Sequence, residues 1–418
     1  MNRTLRVWLI ITSREHDVLK FLNKRFSQFE EQHNINIELK LITWNRAFET
    51  LIEAYKNNNS PDIIQIGTTW VRTLAYMGYI EKIPQDFETR TSFVENMNQI
   101  CIYRGDQYAV PWNVDTIVLA TRTDYLKTLG IKKRDLDSWE KFYQVCETIT
   151  EKRRSDPDLP EALAFSLRAE ADLLHRFAAI LWSKGGEFAD FYQIPEKILT
   201  EEKVMENISY LADLMQTSDI KASDLDKHPY QLNNEFYRQG SYVFYIGSWY
   251  GIIEDISHNS FESENGNYNY TILPFPSADG TKSQTYGGGS VLAVSSRSEH
   301  KQKAWKLIEL FLQDDFINEW IRVTGKVPAF EVDFWQKRDV DQRINTMYQQ
   351  SINSKTYPAH PAWATIEKIL STAVAHSIWE LIDNNNTEIN EETFKLLKKA
   401  DQNIRDLLKL SWEMKNYE

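Results

Sequence analysis

The chain is poor in cysteine, which limits the chemistry that it can perform. Among its 418 residues there are two cysteines, Cys101 and Cys146. Two thiols cannot make a four-cysteine zinc site or a disulfide framework. We therefore expect both side chains to be small buried apolar groups. The redox state of the compartment stays open.

Long apolar runs are also missing. No stretch reaches the ~18 consecutive apolar residues that indicate a transmembrane helix. Residues 5–11, Leu-Arg-Val-Trp-Leu-Ile-Ile, are too short for the apolar core of a signal peptide, and no small-residue cleavage site follows them. We interpret this run as a first strand, and we expect that a leader was either removed or never existed.

A third absence concerns nucleic-acid binding and catalysis. The net charge of −12 argues against nucleic acid as a partner, because phosphate binding requires a basic footprint. The sequence contains no phosphate loop, nucleophile elbow, HExxH or GxGxxG pattern. Its eight histidines are scattered, so we expect no metal site and no cofactor. Carboxylates are abundant, and a glycosidase pair therefore stays open at this stage.

The chain is, in contrast, long and rich in tryptophan. Single cores rarely grow beyond roughly 250–300 residues, so a chain of 418 residues predicts two domains. Most of its 13 tryptophans are expected to fill cores, and Trp8, Trp139, Trp305 and Trp320 lie on strand or helix stripes. An indole also offers a wide apolar face with one polar donor, which suits the face of a sugar.

The first part of the chain alternates between strand and helix. Residues 5–11 and 63–66 form apolar runs typical of buried strands, and residues 35–41 alternate apolar and polar side chains. Asp17 occupies the position expected for the N-cap of the first intervening helix, and a second helix is predicted over about 48–55. This βαβαβ pattern predicts a parallel sheet.

Residues 60–83 are the most informative segment. A turn leads into the buried strand 63–66, and Gly-Thr-Thr-Trp at 67–70 follows it directly. In open α/β sheets, ligands bind outside the carboxyl ends of the strands. The segment therefore places two hydroxyls and an indole where a small polar solute would bind.

Further landmarks occur in order along the chain. They are a hairpin at 102–110, Pro-Trp-Asn-Val-Asp-Thr at 111–116, an Asp-Tyr-Leu to Ser-Trp-Glu-Lys-Phe region at 124–142, a glycine-stopped helix and strand at 236–249, Tyr-Gly-Gly-Gly-Ser at 286–290, and Thr-Gly-Lys-Val-Pro at 324–328. Together with residues 60–83, this order resembles the family 1 extracellular solute-binding proteins of ATP-binding-cassette importers, the maltose-binding-protein-like group that includes the sugar binders.

The resemblance implies an α/β fold of the periplasmic-binding-protein-like type II class. In that class, two α/β lobes are joined by a hinge and the ligand cleft lies between them. We expect lobe 1 to comprise residues 1–114 plus 285–332, lobe 2 to comprise 115–284 plus 333–418, and hinges to lie near 111–116 and 274–288.

Candidate ligand contacts come from strand ends, from the hinge and from late aromatic positions. The aromatic candidates are Trp44, Trp70, Trp112, Trp249 and Trp363, each with core packing as its alternative. The polar candidates are Ser13, Glu15, Thr68, Thr69, Asn113, Asp115, Glu187, Gly288, Gly289 and Arg322, with backbone amides acting at the glycines. The alternative is a hinge cap for Asp115, a solvated loop charge for Glu187 and a surface position for Arg322.

The resemblance also implies a function. We expect a non-catalytic monomer outside the cytoplasm, periplasmic or at the cell surface. It would close on a small solute, preferably a mono- or oligosaccharide, and deliver it to the membrane permease of an ATP-binding-cassette importer. Two alternatives stay open: a sugar-sensing domain of a signalling system, and a carbohydrate-active enzyme on a similar scaffold.

Trp249 provides a test of sugar binding. A sugar that binds the folded chain raises its melting temperature, and Trp249→Ala is expected to remove most of that shift because the apolar face is lost. Scanning fluorimetry against a panel of sugars measures both effects. A panel that produces no shift with the unmodified chain would count against sugar binding, and an unchanged shift in the variant would remove Trp249 from the site.

Overall fold

The fold is available as a computed structural model, which describes residues 4–11, 15–87, 92–169, 171–248, 270–281, 284–330, 342–358 and 360–415. The described residues form two compact units. The first unit contains those up to residue 115 and those between 287 and 348. The second unit contains those between 116 and 286 and those from 349 onward.

Strands and helices are distributed along the whole described chain. The strands are β1 Thr4–Ile10, β2 Asn36–Ile42, β3 Ile63–Gly67, β4 Ile102–Tyr103, β5 Asp106–Gln107, β6 Val110–Thr116, β7 Val118–Arg122, β8 Glu161–Ala164, β9 Tyr242–Gly247, β10 Tyr270–Leu273, β11 Gly287–Val294 and β12 Val327–Pro328. The α-helices are α1 Glu15–His33, α2 Trp44–Lys56, α3 Val71–Tyr76, α4 Glu95–Ile100, α5 Thr123–Leu129, α6 Trp139–Ser155, α7 Ala171–Ser183, α8 Glu202–Thr217, α9 Ala222–Leu225, α10 Pro229–Asn234, α11 Lys301–Phe311, α12 Asp314–Thr324, α13 Gln342–Ile352, α14 Trp363–Asp383 and α15 Glu391–Lys415. Single 3₁₀ turns span Thr68–Trp70, Lys133–Leu136 and Phe191–Gln193, and Glu235–Gln239 forms a π turn.

The sheet of the first unit has the strand order β12-β6-β11-β3-β1-β2. Strand β1 pairs in parallel with both β2 and β3, as the βαβαβ pattern predicted. Strand β11 returns antiparallel to β3, and β12 is antiparallel to β6. The carboxyl ends of β1, β2 and β3 therefore lie side by side at one edge of this sheet.

Two helix starts differ from the sequence prediction. Helix α1 begins at Glu15, so Asp17 lies in its first turn, and the prediction of Asp17 as the N-cap is wrong. Acidic side chains suit the first turn as well as the cap, because both positions are near the positive end of the helix dipole. Helix α2 begins at Trp44 rather than near residue 48, so this indole is helical from the outset.

The core of the first unit is rich in stacked aromatic rings. Trp112 on β6 is fully buried. Its ring stacks on Trp320 with centroids 4.8 Å apart and on Phe311 with centroids 5.5 Å apart. Both partners belong to helices α11 and α12, which pack on the sheet together with α1. Trp112 is therefore held by two stacked rings within the core.

The second unit has a smaller sheet covered by long helices. Its strand order is β10-β7-β9-β8, with only the β8–β9 pair parallel. Helices α6, α7, α8, α14 and α15 supply most of the apolar core. The described middle and end of the chain are therefore largely helical.

Both cysteines are free and buried, as expected from the sequence. Cys101 lies in the first unit, and Cys146 lies in the core of the second. Burial raises the pKa of both thiols, which keeps them protonated and unreactive.

The first part of helix α13, up to Tyr348, groups with the first unit. The contacts of the chain place the described residues up to 348 with the first unit, whereas the sequence-based boundary lay at 332. Tyr348 packs against a small apolar cluster that includes Val94, Met97 and Val114. Such contacts join residues far apart in the chain, so local sequence patterns did not reveal them. Among the helices described, none is both long and apolar enough to span a bilayer.

Glu367 on α14 makes the stability of the fold dependent on pH. Its side chain is almost fully buried in the second unit. Burial raises the pKa of this carboxyl from 4.5 to about 7, and the nearby negative charge of Asp172 adds to the shift. Between pH 4.5 and about pH 7, Glu367 therefore keeps its proton in the folded chain and has lost it in the unfolded chain. The free energy of unfolding therefore falls as pH rises through this window and levels off above pH 7.

The variant Glu367→Gln is expected to remove this dependence, because glutamine stays neutral in the same shape. Relative to the variant, the unmodified chain should lose up to about 3 kcal/mol of unfolding free energy between pH 4.5 and pH 8. Urea unfolding at several pH values measures the difference, with the exposed Glu392→Gln as a matched control. Equal pH dependence in the chain and in the Glu367 variant would contradict the assignment.

Candidate functional site at the strand ends of the first unit

The carboxyl ends of β2 and β3 are followed directly by aromatic side chains. Trp44 opens helix α2 two residues after β2 ends, and Trp70 closes the 3₁₀ turn after β3. The two indoles meet edge to face, with ring centroids 5.6 Å apart at 66°. A methyl group placed on Gly67 would lie 3.4 Å from Trp70 Cδ2 and 3.5 Å from Trp44 Cζ3. Both rings therefore lie beside the end of β3.

This indole pair, Trp44 and Trp70, is only half-buried. Phe48 supports it from α2, with its ring centroid 5.2 Å from that of Trp70. A supported but partly exposed aromatic surface is the geometry needed for stacking on an apolar ligand face. Both indoles are sequence candidates, and the structure brings them together.

Thr68 and Thr69 lie in the turn between the strand and Trp70. Their side chains are buried, with 2% and 7% of their surface exposed. The sequence predicted both hydroxyls as solute contacts, and this role stays a prediction. Both belong to the 3₁₀ turn that ends at Trp70.

Lys326 also lies at this edge of the sheet, although it was not among the site residues predicted from the sequence. Its ammonium donates a hydrogen bond to the carbonyl of Ile10, at the end of β1, with a distance of 3.2 Å. Burial lowers the pKa of Lys326 to about 8, and the negative charge of Asp115 opposes this shift. The side chain is therefore still cationic at neutral pH. The only sequence signal was its place inside the Thr-Gly-Lys-Val-Pro turn.

A buried polar network links four strands beneath this edge. Gln65 accepts a hydrogen bond from the Ile10 amide at 2.8 Å, and its own amide nitrogen donates to Ser290 Oγ at 2.9 Å. Asn113 also donates to Ser290 Oγ, at 3.3 Å, and it accepts from Trp320 Nε1 at 3.1 Å. We call Gln65, Asn113, Ser290 and Trp320 the amide network. Asn113, predicted as a solute contact, is thus engaged in holding β6 and β11 together.

The glycines at the start of β11 allow this strand to pack closely against β6. Gly289 has φ +135°, and a Cβ atom there would lie 2.0 Å from the carbonyl oxygen of Asn113. No side chain fits in that space, so glycine is required. Gly288 is buried in the same strand. Solute contact through the amides of these residues stays a prediction.

Two predicted stacking indoles are fully buried. Trp112 lies in the core of the first unit, as described above. Trp363 lies in the core of the second unit, where its ring centroid is 4.5 Å from that of Tyr357 and 5.6 Å from that of Phe191. The structure favours the core-packing alternative for both. Trp8, Trp139, Trp305 and Trp320 are core residues, as expected.

The remaining candidates are spread over both units. Glu15 is exposed in the first turn of α1, and Arg322 is exposed on α12, which matches its surface alternative. Glu187 is an exposed residue of the second unit that forms an ion pair with Lys355 of the same unit. Its predicted contact with the solute stays untested. Ser13 and Trp249 lie outside the described residues.

Solved structures with the same fold confirm the class. A solute-binding protein of an ABC transporter from Thermotoga lettingae, solved with α-D-tagatose, matches with a TM-score of 0.79 at 18% identity, covering 97% of this chain and 100% of that one. The sugar-binding protein MalE from Xanthomonas citri matches with a TM-score of 0.77 at 19% identity, covering 99% and 100%. The chain therefore has the type II periplasmic-binding-protein fold, as its landmarks predicted.

Sequence comparison gives the family. The model of the bacterial extracellular solute-binding proteins matches residues 24–332, well over half of the chain. The chain belongs to this family. The diacetylchitobiose binding protein DasA from Streptomyces coelicolor is 24% identical over 372 residues, which cover 88% of this chain and 82% of that protein. The resemblance drawn from the ordered landmarks is confirmed.

The amide network should contribute measurably to stability. Ser290→Ala removes the acceptor shared by Gln65 and Asn113 and leaves two buried N–H groups unpaired, which should cost about 1–3 kcal/mol of unfolding free energy. Urea unfolding measures this, and Ser27→Ala on the exposed face of α1 is the control. A loss no larger than in the control would show that the network does not stabilise the sheet.

Proposed function

We propose that this protein binds a mono- or oligosaccharide without altering it and delivers it to the permease of an ATP-binding-cassette importer. The observation that carries the proposal is the half-exposed indole pair at the strand ends of a chain that belongs to a solute-binding family. This edge is where open α/β sheets bind their ligands.

The chemistry of this edge suits a sugar. Pyranose rings present C–H faces that pack on indole rings, while their rims carry hydroxyls that need donors and acceptors. Trp44 and Trp70 offer the first kind of surface. The ammonium of Lys326 and the half-buried carboxylate of Asp115 offer the second kind at neighbouring strands.

The relatives support the same ligand class. DasA is named for a disaccharide derivative of chitin, and the Thermotoga lettingae protein was solved with a ketohexose. Both are distant from this chain, so they support a class of solute rather than one sugar. Binding outside the cytoplasm and the permease partner are inferred from the family in the same way.

Delivery requires a change of shape, which the segments that join the two units would allow. Among the described residues, the chain passes from the first unit to the second after residue 115, returns after residue 286 and passes to the second unit again after residue 348. On the side of the second unit, the first two crossing segments are joined by hydrogen bonds: Thr285 Oγ1 donates to the Ile117 carbonyl at 2.6 Å, and the Ile117 amide donates to the Tyr286 carbonyl at 3.3 Å. Segments joined in this way bend together, which suits hinge closure.

Trp70 tests the proposal directly. With the sugar that gives the unmodified chain the largest rise in melting temperature, Trp70→Ala should weaken the affinity at least about tenfold, the loss expected for one stacking contact. Trp70→Phe should lose less, because an aromatic face remains. Isothermal titration calorimetry measures the affinities.

Trp379→Ala is the matched control, because this indole is also half-buried but lies on α14 of the second unit. It is expected to lower stability and to leave the affinity unchanged. Binding by none of a broad sugar panel would overturn the proposed function. Equal losses in the Trp70 and Trp379 variants would remove the indole pair from the binding site.

A further inference from the structure

A concave surface lies within the second unit, apart from the strand ends of the first unit. It is a groove of about 840 Å³ between one face of α8 and the segment 387–394 that leads into α15. Gln216 on α8 donates to the carbonyl of Asn386 at 2.8 Å, which ties the two walls together at one end. Asn390 accepts a hydrogen bond from the amide of Thr393 at 2.9 Å and caps α15. The groove is therefore bounded by hydrogen-bonded walls.

Carboxylates line both walls of this groove. Glu202, Glu206 and Asp213 project from α8, and Glu388 and Glu391 face them from the other wall. Among the described residues that line the groove, none is a lysine or an arginine. Carboxylates of one sign in a concave surface focus their field and attract a cationic partner.

Nearby lysines neutralise only part of this charge. Lys203 pairs with Glu206 at 2.7 Å, and Lys395 pairs with Glu391 at 2.6 Å. These ion pairs are exposed, so each contributes little to stability. Another cation can therefore readily replace the lysine. A third ammonium, that of Lys184, lies 3.7 Å from the centroid of the Tyr210 ring, which also lines the groove. The five carboxylates of the groove outnumber these three lysines, so its net charge is negative.

The groove also presents apolar surface. Phe394, at the start of α15, has 41% of its surface exposed, although it is a large aromatic residue. Met205 is half-buried on the facing side of α8. Acidic and apolar side chains in one lining together match a ligand that carries both cationic and apolar side chains.

The length of the groove distinguishes a chain segment from a compact solute. Glu202 and Asp213 are separated by eleven residues of helix, which correspond to about 17 Å. An extended segment of about five residues covers that length. We propose that this groove binds a basic, amphipathic peptide segment of a partner protein, with lysine or arginine alternating with bulky apolar residues.

Labelled five-residue peptides test the proposal by fluorescence anisotropy on the full chain. Lys-Leu-Lys-Phe-Lys should bind, Lys-Gly-Lys-Gly-Lys should bind at least tenfold more weakly, and Glu-Leu-Glu-Phe-Glu should not bind. The double variant Glu202→Lys/Glu388→Lys and the variant Phe394→Ala should each weaken the first peptide at least tenfold. Both should keep the sugar-dependent rise in melting temperature of the unmodified chain.

The control is Glu151→Lys/Asp158→Lys, which makes the same change in net charge at exposed positions near the end of α6. It should leave peptide affinity unchanged. Failure of the unmodified chain to bind the first peptide, or an equal loss in the control, would overturn the proposal. Spermidine that binds as tightly as the peptide and displaces it would also overturn it, in favour of a small polycation.

Discussion

The amide network is the constraint on which the geometry of the first unit depends. Ser290 lies opposite Gly67 in the register of β11 and β3, and Gly67 lies beside the indole pair. Buried amide groups are costly to leave unpaired, so Gln65 and Asn113 fix which residues of β1, β3, β6 and β11 face each other. A slip of one residue in this register would turn every side chain to the other face. The network thereby sets the position of the strand ends and of the two indoles beyond them.

The position of the candidate site follows from the segments that come after β2 and β3. Helix α2 starts at Trp44, and a single 3₁₀ turn after β3 ends at Trp70, so the two rings converge beside the end of β3. The hydrogen bond from Lys326 to Ile10 adds a cation at the end of β1, which lies between β2 and β3. Aromatic surface and polar groups are thus placed at adjacent strand ends by rigid elements, with little demand on loop conformation.

Local patterns were sufficient for the fold of the first unit but not for its site. The βαβαβ order and the indoles after β2 and β3 could be predicted because periodicity and strand ends are local properties. Trp112 and Asn113 could not be assigned, since their environment is created by Trp320, which lies 207 residues beyond Asn113. Lys326 was missed for the same reason, because its partners Ile10 and Asp115 are remote in the chain. Trp363 resembled a late aromatic of the family, yet its contacts are within the core of the second unit.

The charges at the strand ends favour a neutral solute. Lys326 and Asp115 carry opposite charges and influence each other, so neither leaves a strong unbalanced field at this edge. A polyamine or a phosphate ester would lose its hydration there without an excess of opposite charge to replace it. A neutral sugar loses only hydroxyl hydrogen bonds, which a cation and a carboxylate can both replace. The same physical reasoning separates this edge from the groove between α8 and α15, where carboxylates predominate and a cationic ligand is favoured.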